Sequence, residues 1–151
     1  MIYVNGCSYC LTQGNNFGNY LSKMYNQSLF HKGIPGSSNN RIFRTTTRDL
    51  LKFKNKKVTN VKVVVGLTFL HRSELWIENH GQKKWTQFEF DDGEFVSYQF
   101  HDIPGDIPQL YKKYCTEWVK VNHINSLMIN TIYQASLLKN LCENLGYKLV
   151  I

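Results

Sequence analysis

Three short stretches of this chain have residue types and spacing that suit covalent chemistry. The first is Gly6-Cys7-Ser8, directly behind the apolar run Ile2-Tyr3-Val4. Ile, Tyr and Val favour a strand, and a Gly at its end marks a sharp bend. Ser8 then stands at the strand's carboxyl end, where open α/β sheets bind ligands and where a hydroxyl can act as a nucleophile. The second and third stretches are Gly33-Ile34-Pro35-Gly36-Ser37-Ser38-Asn39 and Gly66-Leu67-Thr68. If all three follow parallel strands, they share one edge, and glycine amides with short polar side chains can donate to a developing oxyanion there. A plainer reading also fits the residues alone: Gly6 and Gly36 are turn glycines and Ser8 caps a helix.

A second chemistry competes for the first loop. Cys7-Ser8-Tyr9-Cys10 is a C-x-x-C between a strand and a helix, where the helix N-terminus can stabilise a thiolate for thiol-disulfide exchange. No metal site is expected, because Cys7 and Cys10 would need two more ligands, while Cys115 and Cys142 lack paired spacing and fall on helical stripes. No cofactor is expected either. Arg41, Arg44 and Arg48 follow the Gly36 turn at helical spacing, as a solvated face or as a contact for a substrate anion.

The elements that position these residues alternate. After Ser8, Phe17, Tyr20, Leu21, Met24 and Tyr25 have the spacing of one helical face. A short strand follows at Ser28–His31, closed by the Gly33–Gly36 turn. Ser37 and Ser38 are N-cap residues for a helix with Ile42, Thr46, Leu50 and Phe53 on its inner side. Val61–Phe69 is expected as a strand, its Val63-Val64-Val65 run implying burial on both faces. Residues 74–99, with Trp76, Trp85, Phe88, Phe90, Phe95 and Tyr98 between turn signals at Asn79-His80-Gly81 and Asp91-Asp92-Gly93, read as an inserted β-hairpin or lid. The aromatics there suit stacking on sugar rings or filling the hairpin's own core. Ile107–Val119 is expected to be helical. A longer helix is expected over Asn122–Leu145, with Ile124, Met128, Ala135, Leu138, Cys142 and Leu145 on one stripe and Gly146 as its stop. Tyr147–Ile151 begins another strand. This order predicts a single domain over residues 1–151, a three-layer α/β/α fold with a parallel sheet.

Composition narrows the partners. With 151 residues and 42% apolar content the chain suits one globular domain. Its formal charge is +7, from 18 Lys and Arg against 11 Asp and Glu. The positives are spread along the chain; the densest run, Lys52 to Lys62, flanks a loop and reads as a solvated connector, so nucleic acid is not favoured. No membrane segment or leader is recognised, which makes a cytoplasmic location with free thiols the expectation.

Gly6-Cys7-Ser8, Gly33 through Ile42 and Gly66-Leu67-Thr68, each behind a strand, resemble the first three sequence blocks of the SGNH hydrolase (GDSL esterase/lipase) superfamily, especially divergent members from phage and bacterial genomes. The resemblance implies a flavodoxin-like fold and hydrolysis of an acylated small molecule, glycan or lipid. By it Ser8 matches the nucleophile, with its own amide and that of Gly36 as oxyanion donors. Thr68 falls where the family has an Asn, and Asn39 lies in the second block among the substrate-binding residues. Cys7 replaces the family's first-block Asp. The last block, an Asp three residues before a His, is missing: the residues three before His31, His71, His80, His101 and His123 are Ser28, Thr68, Ile77, Tyr98 and Lys120. Without a base a serine hydroxyl is a poor nucleophile at neutral pH. The expectation is therefore a chain that is inactive by itself and C-terminally incomplete, with His71 and His101 as fallback bases.

Two alternatives remain open. The C-x-x-C resembles the glutaredoxin active site, although that fold needs a Pro just ahead of a later strand, and Pro35, Pro104 and Pro108 precede turn or helix signals. The other alternative is a binding protein that kept the scaffold and lost the dyad.

Overall fold

The computed structural model describes residues 1–7, 10, 17–70, 72–79, 82–91, 94–98, 113–114, 117 and 124–151. At its centre is β1 (Ile2–Asn5), with all four side chains buried. Alternate residues of a strand face opposite ways, so both faces of the sheet must be covered. β2 (Leu29–His31) and β3 (Lys62–Val65) flank β1 in parallel, with Val4 opposite His31 and Asn5 opposite Val65. β7 (Lys148–Val150) lies parallel to β3, completing the order β2-β1-β3-β7. Chain order reverses about β1, so the crossovers leave in opposite directions, and the carboxyl ends of β1 and β3 form the switch point where such sheets bind ligands.

The helices form the outer layers. α1 (Phe17–Tyr25) covers the face of Ile2 and Val4, where Cys10, Leu21, Leu29 and Val64 also pack. α2 (Asn39–Asn55) and α3 (Ile124–Leu145) cover the other face. There Tyr3, Ile42, Leu50, Phe53, Val63 and Leu138 form the main core. Tyr3 stacks on Phe30, and both rings meet Phe53 edge-on, at centroid distances of 5.1–5.9 Å. The fold is thus α/β, with helices on both faces of a parallel sheet. In α2 the expected inner residues Ile42, Thr46, Leu50 and Phe53 are all buried. Ser38 caps the helix by accepting from the Arg41 amide at 3.2 Å.

Several elements depart from expectation. β3 ends at Val65 instead of reaching Phe69; the Gly66 amide still donates to the Asn5 carbonyl, but Asn39 then takes both backbone groups of Thr68. α1 does not bury its apolar stripe: Phe17, Tyr20, Met24 and Tyr25 are exposed, while Gly18 is buried and Leu21 packs inward. Tyr25 instead faces the Lys62 ammonium, 3.4 Å from its ring centre. α3 buries Leu138 and Cys142, whereas Ile124 and Met128 at its start are exposed. A helix of this length spans about 33 Å, far more than the short strands beneath it. Gly146, at φ +67, ends it as expected.

The inserted segment is a three-stranded antiparallel meander: β4 (Arg72–Asn79), β5 (Gln82–Asp91) and β6 (Glu94–Tyr98). Trp76 pairs with Trp85 in backbone register. The helix expected at 107–119 lies outside the described residues, apart from Lys113, Tyr114 and Glu117, which are helical.

Candidate functional site

The three turns singled out by the sequence meet at the carboxyl edge of the sheet. β1 ends in Asn5, whose side chain is fully buried and bonded to α2. Its Nδ2 donates to Thr45 Oγ1 at 2.8 Å, Thr46 Oγ1 at 2.9 Å and the Ile42 carbonyl at 3.1 Å. Its Oδ1 accepts from the Gly6 amide at 2.9 Å. That bond fixes the direction in which the chain leaves β1. The Gly6 carbonyl accepts from the Ile34 amide at 3.2 Å, tying the second turn to the first. The third is tied to the second by Asn39, whose Oδ1 accepts from Thr68 N–H at 2.8 Å while Nδ2 donates to the Thr68 carbonyl at 3.1 Å.

Cys10 fills the space between the turns. A Cβ added to Gly6 or Gly33 would run into Cys10, and one added to Gly66 would lie 2.7 Å from its Sγ. Each of the three turns therefore needs a glycine because Cys10 comes close to its backbone, with its thiol at Gly6 and Gly66 and its backbone carbonyl at Gly33. Burial, and the neighbouring Cys7, push the Cys10 thiol up to about 11. Cys7 and Cys142 are buried thiols too, and burial likewise raises Cys142 to about 11. The attacking thiol of a redox dithiol must be accessible, and Cys7, in that position, is buried.

Gly36 is in the left-handed region, at φ +69, which glycine reaches without strain. Its amide has no backbone acceptor among the described residues. Ser37 is fully buried; its hydroxyl donates to the Ile34 carbonyl at 2.6 Å and accepts from Arg41 Nη1 at 3.0 Å. Thr68 Oγ1 accepts from Arg72 Nη1 at 3.0 Å, which leaves the hydroxyl its own proton to donate. Compared with known proteins, the chain matches no family model, no curated protein and no solved structure.

Of the expected site residues, Gly36, Asn39 and Thr68 are brought together at this edge. Cys7 and Cys10 lie beneath it, and Ser8 lies outside the described residues. Asn39 acts as a clamp that sets the spacing of the second and third turns, since its amide engages Thr68 at both ends. His71 and His101, the fallback bases, also lie outside the described residues. His31 sits at the end of β2, where burial lowers its pKa. Its Nε2 is buried without a hydrogen-bond partner among the described residues.

Sequence reasoning missed Asn5, and missed the packing role of Cys10. The signals were there: a lone amide ending an apolar strand, and a Gly behind each of three strands. It also missed the Arg44–Glu74 pair, two bonds of 2.8 and 2.7 Å that join α2 to β4, because its partners are 30 residues apart. Among the described residues there is no group of three or more metal-ligating side chains, and no helix is long and apolar enough to cross a membrane.

Proposed function

We propose that this chain carries the nucleophile and oxyanion site of an SGNH-type serine hydrolase acting on an ester of a small molecule, glycan or lipid. In this reading Ser8 Oγ attacks the ester carbonyl carbon and its proton passes to a general base. Negative charge then collects on the carbonyl oxygen, where the amides of Ser8 and Gly36 stabilise it, with the Thr68 hydroxyl as a third donor. The alcohol leaves with a proton returned by the base, and water releases the acyl group from Ser8. The family's Asp-x-x-His pattern has no counterpart among the five histidines, so the base is not assigned.

One observation carries the reading: the turns after β1, β2 and β3 are bonded to one another at one edge, through Gly6 to Ile34 and Asn39 to Thr68, with the Gly36 amide unengaged by any described backbone acceptor. Backbone amides at such an edge can serve as the oxyanion donors that acyl transfer requires. The burial of both Cys7 and Cys10, which leaves neither thiol exposed to attack a disulfide, favours this reading over thiol-disulfide exchange.

The test is hydrolysis of an aryl butyrate by the protein expressed from its complete reading frame. Ser8→Ala is expected to lower kcat by a factor of about 1,000 or more. Turnover that survives the substitution, or no turnover in the parent protein, overturns the proposal.

A further inference from the structure

Three arginines follow the Gly36 turn on α2, at spacings of three and four that set them on one side of the helix. The structure gives them different partners. Arg44 makes two bonds to Glu74, whose side chain is almost fully buried, and so serves to hold β4 against α2. Arg48 pairs with its neighbour Asp49 at 3.3 Å, with half its side chain in solvent. Arg41 has no carboxylate partner among the described residues. Its one bond there is Nη1 to Ser37 Oγ, and the remaining N–H groups of the guanidinium reach no described acceptor.

Arg41 lies half-buried in the first turn of α2. Burial lowers its pKa from the usual arginine value; the Glu74 carboxylate, the next largest influence, raises it, and Arg44 and Arg48 lower it further. With one nitrogen bonded to Ser37 and no carboxylate bonded to it among the described residues, the half-buried guanidinium keeps N–H groups that can donate to an anion. The planar fork suits two oxygens of such an anion at once. The position is also specific. Ser37, which holds Nη1 at 3.0 Å, directly follows Gly36. On the other side of the edge Arg72 brings a second guanidinium to Thr68 Oγ1.

We propose that Arg41 is a substrate-positioning residue that binds an anionic group, a carboxylate or a phosphate monoester, carried by the ester beside its scissile bond. The inference rests on the hydrolase reading and gives it a substrate class: anionic esters in preference to neutral ones. Arg44 and Arg48 take no part, since their charges are already matched.

The experiment has two arms, both on the protein from its complete reading frame. In the first, kcat/KM is compared for an aryl butyrate, the matching aryl hemisuccinate and an aryl ester bearing a phosphate monoester, in the parent protein, Arg41→Gln and Arg41→Lys. A preference for one or both anionic esters is expected, with the anionic-to-neutral ratio falling about tenfold or more in Arg41→Gln, through KM, and less in Arg41→Lys. Which anionic ester is preferred tells carboxylate from phosphate. Equal rates on all three esters in the parent, or a uniform loss in Arg41→Gln that leaves the ratio unchanged, overturn the inference and assign Arg41 to holding Ser37 alone.

In the second arm, succinate and inorganic phosphate are titrated into 15N-labelled parent protein. Saturable shifts at Ser37, Asn39 and Arg41 that weaken in Arg41→Lys support the site, and their absence for both anions contradicts it. Shifts without any ester turnover would refute the hydrolase reading while leaving the anion site standing. Turnover dependent on Ser8 but blind to charge would do the reverse.

Discussion

Asn5 is the residue on which the geometry of the edge turns. It is an amide in a strand otherwise made of Ile, Tyr and Val, and it joins the Gly6 amide to Thr45 and Thr46 of α2. Polar groups buried without water must find partners, and Thr46 on the inner face of α2 is there for that reason. The sequence showed Thr46 among the inner residues but not its partner, because the two are 41 positions apart. Asn5→Ala would leave the Gly6 amide and two threonine hydroxyls short of a partner. A loss of about 1–3 kcal/mol in urea unfolding is expected. An unchanged midpoint would show that the amide is not what holds β1 to α2.

At the scale of elements, what the sequence shows well is what local chemistry decides. Ser38 caps α2, Gly146 ends α3 and the apolar spacing of α2 selects its buried face. It shows poorly what packing partners decide. The stripe of α1 was legible as a helix, yet the face that docks carries Gly18 and Leu21. β3 stops at Val65 because Asn39, far away in sequence, takes the backbone of Thr68 out of the ladder. The convergence of three strand ends on Cys10 is the feature of this scale open to direct test. Gly66→Ala, whose added Cβ lies 2.7 Å from Cys10 Sγ, is expected to destabilise by about 1–3 kcal/mol. Cys10→Ala in the same molecule should recover most of that loss, because it removes the group the new methyl meets. Strictly additive effects of the two substitutions would mean that Cys10 does not fill that space.

At the scale of the whole molecule, the parallel α/β architecture was legible from alternating strand and helix signals, and the order β2-β1-β3-β7 explains why three distant turns share one edge. The antiparallel meander was legible only as a hairpin, since Asp91-Asp92-Gly93 signals a turn without saying that a third strand follows. The site was legible as three glycine-bearing turns; the clamps between them were not, since Asn39 and Thr68 become neighbours only once α2 crosses the sheet. The central claim is that this edge activates one hydroxyl, that of Ser8. Treatment of the protein from its complete reading frame with a fluorophosphonate, followed by peptide mass spectrometry, tests it most directly. The account predicts a single phosphonyl adduct on Ser8 that disappears in Ser8→Ala; an unmodified Ser8, or an adduct that persists elsewhere after the substitution, would contradict it.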